Sequence, residues 1–228
     1  MVSAGSPFFV YVTSFRGRIW ITEAKMPHTG QQGRTLHSRA VIAATEFLTD
    51  SGRIPPLPIV AEHLEVTPEA LFGIFSSEQH LLEAVAENAL MRLHDQCVRT
   101  VVAVEGEDPV AQFHALADAY LEWAYLHPRE FRIIGLMPDA EFRENERLIR
   151  YENSIHELML RLLTRAKAMG KLSPDENLPL LIAVAHAYSY GVASKMLLGD
   201  MSRWAPGINA LEIARAAMHI FTQKVLRP

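Results

Sequence analysis

A single cysteine, Cys97, stands in 228 residues. One thiol excludes an intramolecular disulfide framework and any zinc site built on several cysteines, and it suits a reducing cytoplasm. No run reaches the roughly 18 apolar residues of a membrane span, so no membrane partner is expected. Phosphate-loop, dinucleotide-loop, serine-elbow and zinc-helix motifs are all missing, and His156-Glu157 lacks the second histidine that a zinc helix needs. Without a nucleophile or an acid–base constellation, the expectation is no catalytic residue, no metal and no cofactor. Charge of one sign is missing too. Between Ile54 and Leu82 there is no lysine or arginine, while Glu62, Glu65, Glu69 and Glu78 all fall there.

What is present is an ordinary globular composition. With 49% hydrophobic and 21% charged residues, wholesale disorder and fibrous or low-complexity classes are excluded. The net charge of -4 is unevenly spread, because residues 1–34 hold Arg16, Arg18, Lys25 and Arg34 against Glu23 alone. The remaining body is acidic, which is not the footprint of a broad basic nucleic-acid surface. The first 34 residues lack the basic start and cleavage pattern of a secretory signal. They hold two short strand-like runs, Phe8–Ser14 and Ile19–Thr22, around Arg16-Gly17-Arg18. An isolated hairpin is marginal in water. The arm is therefore expected to be irregular or disordered, or translated upstream sequence with Met26 as the start, rather than a functional hairpin.

From Thr35 onward the punctuation is helical. Leu36, Ala40, Ala43, Ala44, Phe47 and Leu48 recur on one face, with Ser51-Gly52 as the stop. A short helix is expected over Leu57–Leu64. Thr67-Pro68-Glu69 supplies an N-cap, a proline at N1 and a first-turn acid for another, to Phe75. Ser76-Ser77-Glu78-Gln79 fits a capping box and launches a long helix through Val101. After a break at Glu105-Gly106-Glu107, helices are expected over Pro109–Leu126, Pro128–Met137 and Glu141–Met169. One more opens at Ser173-Pro174-Asp175-Glu176 and runs to Leu198, and a last one spans Ile208–Val225. The body is all-α: an N-terminal helix-turn-helix domain at 35–82, then a helical domain at 83–228 whose first part, 83–104, connects the two.

Residues 57–75 read as helix, turn, helix, an arrangement in which the second helix can enter a DNA major groove. Residues 38–85 resemble the N-terminal domain of the TetR family of bacterial transcriptional regulators. The likeness rests on Arg39 with Ala43-Ala44 and Gly52, on Ile59-Val60-Ala61-Glu62-His63-Leu64-Glu65-Val66-Thr67, on Leu71-Phe72-Gly73-Ile74-Phe75-Ser76-Ser77 and on Leu81-Leu82-Glu83-Ala84-Val85. Where Phe72 and Glu78 stand, that family usually carries a tyrosine and a lysine that touch phosphate, and a turn glycine is common at the place of Glu65. The resemblance implies a double-stranded DNA operator as partner, met by Arg39, Arg53, Thr67, Pro68, Glu69, Ala70, Phe72, Gly73, Ser76 and Ser77. Backbone amides at Thr67 and Ser76 are available on this reading to hold phosphate. The four acids act against phosphate binding, so a second reading stays open: a dimeric effector- or partner-binding protein of the same fold with weakened or lost DNA binding.

Residues 108–226 resemble the C-terminal domain of the TetR subgroup named for a Trp-His-Gly motif. The likeness rests on Tyr120–Arg132 and on Tyr188-Ser189-Tyr190-Gly191-Val192-Ala193, although only Gly191 of the motif itself matches. This implies a small-molecule effector that releases a homodimeric repressor from its operator, with the last two helices forming the dimer. Helices apolar on nearly all sides, at Leu178–Leu198 and Leu211–Val225, agree with burial on more than one face. The effector pocket is expected to draw on Phe113, His114, Trp123, Phe131, Met137, Tyr151 and His186, with Met159, Tyr188, Trp204 and His156 as further candidates.

Overall fold

The computed structural model describes residues 8–15, 18–25, 35–48, 53–106 and 108–226. The expected signals at Arg16-Gly17, Met26, Arg34, Ser51-Gly52 and Glu107 lie outside the described residues. The chain divides into two compact units, Met1–Arg39 and Ala40–Pro228.

In the first unit, β1 (Phe8–Phe15) and β2 (Arg18–Lys25) pair antiparallel, from Phe8 opposite Lys25 to Phe15 opposite Arg18. These stretches of the arm are strands, not the irregular chain expected. Their β-branched and aromatic residues favour extended backbone enough to pair locally. The helix α1 (Leu36–Phe47) begins in this unit, where Thr35 Oγ1 accepts the Ser38 amide at 3.3 Å as an N-cap does.

The second unit is helical throughout its described residues. After α1 come α2 (Leu57–His63) and α3 (Pro68–Phe72). Leu57, Val60, Ala61, Leu71 and Phe75 are completely buried, so the two short helices are held by packing rather than by their own length. The turn between them is a Schellman motif. The Val66 amide donates to Ala61 O at 3.0 Å and the Glu65 amide to Glu62 O at 3.1 Å, which puts Glu65 in the left-handed region at φ 56°. A second Schellman turn ends α8 (Glu146–Ala168), and there the left-handed residue is Gly170, at φ 73°.

Helix α4 (Glu78–Val102) is capped by Ser77, whose side chain accepts the His80 amide at 3.1 Å. It packs on α5 (Pro109–Leu126), α6 (Pro128–Leu136) and α8. The long helix expected from Glu141 is two. α7 (Asp139–Glu144) ends at Asn145, whose side chain accepts the amides of Arg147 and Leu148 and restarts the chain as α8. The N-cap competes with helix continuation for those amides. Likewise, Ser173–Asp175 form a turn, and α9 (Leu178–Leu197) starts later than expected, capped by Asn177 on the Leu180 amide. A 3-10 turn over Met201–Arg203 leads to α10 (Ala210–Val225), capped by Asn209. By length and composition α9 is apolar enough to cross a membrane, yet it packs against α5, α8 and α10 in this body.

A non-glycine residue held left-handed costs about 1–2 kcal/mol, of which glycine's greater unfolded-state freedom returns part. Glu65→Gly is therefore expected to raise the stability of the chain by about 0.5–1 kcal/mol, read as a higher urea midpoint with unchanged slope. A lower midpoint would show that the glutamate side chain stabilises the turn.

Candidate functional site

Two places carry the sequence-derived candidates. The first is the exposed side of the helix-turn-helix. Leu71 turns inward, leaving Thr67, Glu69, Ala70 and Gly73 exposed and Phe72 half exposed, while Pro68 and Ser77 are partly covered. Arg53 is exposed, and Arg39 stands on α1. Ser76 differs from expectation. Its amide already donates to His80 Nδ1 at 3.3 Å, so it is not a spare donor for phosphate. Glu78 has a structural partner: its Oε1 accepts the Leu57 amide at 3.2 Å, filling the first turn of α2, where Pro56 offers no side-chain cap.

This reading unit is joined to the larger helical part at defined points. Arg129, at the start of α6, donates to Glu46 O at the end of α1 at 2.7 Å. Gln79 near the head of α4 donates to Glu141 on α7 at 2.8 Å. On α6, Glu130 is buried between Arg92 at 3.8 Å and His127 at 3.5 Å. Arg92 is the charge that compensates this carboxylate across the α4–α6 contact, so its removal would leave Glu130 buried without a cation.

The second place is a cavity of about 980 Å³ enclosed by α4 to α10. Its closed side is apolar and buried, with Leu93, Cys97, Phe113, Trp123, Phe131 and Met218. Its open side carries Asp139, Arg143, Glu152, His156 and His186. Of the expected pocket residues, Phe113, Trp123, Phe131, Met137 and His186 line it, as do Met159 and His156. His114 and Tyr151 do not. His114 meets His219 edge-on at 4.8 Å between α5 and α10, and Tyr151 lies by His94 with Arg150 over its ring. Tyr188 stacks on Phe221 at 4.7 Å, and Trp204 is 88% exposed. Helical periodicity marks which side chains face inward but not which inward space is hollow.

Sequence reasoning missed Tyr120, Gly135 and Tyr190. Tyr190 lies flat on Phe131 at 5.2 Å and fills the notch at Gly135, where an added Cβ would come within 2.5 Å of its Oη. Tyr120 carries the one usable signal, since Leu116, Tyr120 and Trp123 share a face at i, i+4 and i+7. Arg143 and Glu152 stand among the many charges of residues 139–152, where nothing in the sequence sets them apart from their neighbours.

Burial raises the Cys97 thiol to about 12, so this cavity-lining cysteine is an inert apolar group at neutral pH. Burial likewise raises the Tyr120 hydroxyl, with Tyr190 adding to it. His114 is lowered by burial and then by His219, and His127 by burial and then by Arg92. A histidine lowered in the folded state binds its proton more readily once unfolded. Its contribution is whole above the unfolded value near 6.5 and is lost as pH falls below it. Thermal midpoints are expected to drop between pH 7.5 and 5.5, and His114→Gln and His127→Gln each to flatten that slope. An unchanged slope in both variants would assign the acid lability elsewhere.

A third surface lies on α9 and α10. Leu180, Val184, Ala187, Tyr188 and Gly191 form an exposed stripe on α9, distinct from the cavity face at Ile182, His186 and Ser189. Ala216 and Ile220 continue it on α10. A Cβ added at Gly191 would meet nothing within 4 Å.

No family model matches the sequence, and no curated protein does either. Solved structures do. One is a protein of unknown function from Rhodococcus sp. RHA1, 24% identical, with a TM-score of 0.71 over 88% of this chain and 100% of that one. Another is the fatty acid degradation regulator FadR from Bacillus halodurans, 11% identical, with a TM-score of 0.67 over 84% of this chain and 97% of that one. A third is a transcriptional regulator of the TetR/AcrR family from Thermobifida fusca YX-ER1, 18% identical, with a TM-score of 0.60 over 82% of this chain and 96% of that one. These likenesses show the fold: the described helical body has the all-α architecture of TetR-type regulators.

Proposed function

We propose that this chain is a TetR-family transcriptional regulator: a homodimer that reads double-stranded DNA with α3 and leaves its operator when a small apolar molecule fills the cavity. The observation that carries the reading is the course of α4. Its first turn is anchored in the helix-turn-helix through Glu78, whose carboxylate accepts the Leu57 amide of α2, and its middle turns, at Leu90, Leu93 and Cys97, line the cavity. A ligand that favours one setting of this helix shifts the population of recognition-helix positions, and so the fit to half-sites about one DNA turn apart. The fatty acid degradation regulator among the similar structures supports an apolar effector, as does the apolar closed side of the cavity.

DNA affinity is expected to be modest and steeply dependent on salt, because the reading unit offers few cations of its own. A gel shift of the full chain on the DNA upstream of its own gene at about 50 mM salt is the test. A specific complex that Thr67→Glu or Gly73→Glu abolishes, with the fold intact by circular dichroism, supports the proposal. No specific complex at low salt would sink it and favour the reading, suggested by the four acids, of a scaffold without DNA recognition.

The dimer is expected to form through the exposed stripe on α9 and α10, as an isologous four-helix contact. Val184→Glu with Ile220→Glu places charges in that contact while leaving each subunit's core alone. Sedimentation velocity is expected to show a dimer for the parent chain and a monomer for the double variant. A parent chain that sediments as a monomer at micromolar concentration would remove the dimer from the model of action.

A further inference from the structure

The cavity holds an imbalance of charge that bears on what it selects. Its fully charged lining residues are Asp139, Arg143 and Glu152, all on the open side. Arg143 Nε donates to Asp139 at 2.9 Å, so cation and first carboxylate are already matched. Glu152 also acts on Arg143 through space, so the three groups together leave one negative charge in excess. Below this rim the walls are aromatic. Tyr190 and Phe131 form a stacked slab with planes 22° apart, Tyr120 meets Phe131 edge-on at 6.2 Å, and Trp123 is buried beside them. Ring faces carry the negative part of an aromatic quadrupole and attract cations, most strongly where water is excluded. A carboxylate or phosphate entering this space meets a rim with one negative charge in excess, ring faces of its own sign and a single arginine already shared by two carboxylates.

We infer that the cavity selects a cationic or neutral amphiphile over an anionic one: an apolar body against Phe113, Trp123 and Phe131, with an ammonium or uncharged polar end toward Glu152. His156 and His186, exposed at the rim, supply ring nitrogens that can donate to or accept from an uncharged end. The inference rests on the reading of this cavity as the effector site and adds to it the sign of the ligand.

Trp20, Trp123 and Trp204 are the three tryptophans. The full chain carrying Trp20→Phe and Trp204→Phe therefore reports on Trp123 alone, in the cavity wall. Its fluorescence is titrated at pH 7.5 with decyltrimethylammonium, decanol and decanoate, each below its self-association concentration. Saturable changes are expected with the ammonium and the alcohol, and binding of decanoate at least about tenfold weaker, ~1.4 kcal/mol. Glu152→Gln, at an exposed position, is expected to weaken the ammonium several-fold and more than it weakens the alcohol. Decanoate binding as tightly as the ammonium overturns the inference while keeping an effector site. No saturable response to any of the three overturns both. An ammonium that binds as expected but leaves the affinity for DNA unchanged keeps the selectivity and sinks the effector reading.

Discussion

The body depends on the buried stripe of α4. Leu81, Val85, Ala86, Ala89, Leu90, Leu93, Cys97 and Val101 follow one another at helical spacing within the 25 residues of α4, and all are buried. Ala89, Leu93, Cys97 and Val101 belong to the core shared with α5 and α8, and Ala86 and Leu90 pack with Leu148 of α8. Because interiors are close-packed, a change of cavity contents at Leu93 cannot be absorbed locally without moving side chains along the same stripe. The reading unit and the cavity thus share one structural member. The hydrogen bond from Arg129 to Glu46 O gives α6, which also walls the cavity, a second point of attachment to α1.

Most of the helical body was legible because its chemistry is local. Ser77, Asp108 and the prolines at Pro68, Pro109 and Pro128 mark starts within a residue of where the structure has them. Local signals also misled. Ser173-Pro174-Asp175-Glu176 has the look of a helix start, yet the N-cap is Asn177, four residues beyond Ser173, and its side chain accepts the Leu180 amide. Asn145 was invisible inside a run of alternating charges, where any residue suits a solvated face. The hairpin strands were visible as runs, but their pairing was not favoured because two strands bury little. The cavity was the least legible feature. Its lining comes from seven helices, and only a three-dimensional arrangement tells Phe113, which borders empty space, from His114 beside it, which packs on His219.

The acids of the reading unit look different once their contacts are known. Glu62 and Glu69 are exposed. Glu65 sits at the left-handed position that closes a Schellman turn. Glu78 holds the first amide of α2. Of the four, Glu78 alone has a carboxylate held by a backbone group, whereas the backbone at Glu65 would suit glycine better.

The bond between Glu78 and the Leu57 amide also limits how such a protein can change. A lysine at that position would bring a cation toward the phosphates, but the same exchange would strip α2 of the acceptor for its first amide, next to Pro58, which has none to give. Charge gain and helix loss would arrive together in one codon. Any exchange at Glu78 that adds positive charge therefore needs another acceptor for the Leu57 amide, since Pro56 offers no side-chain cap.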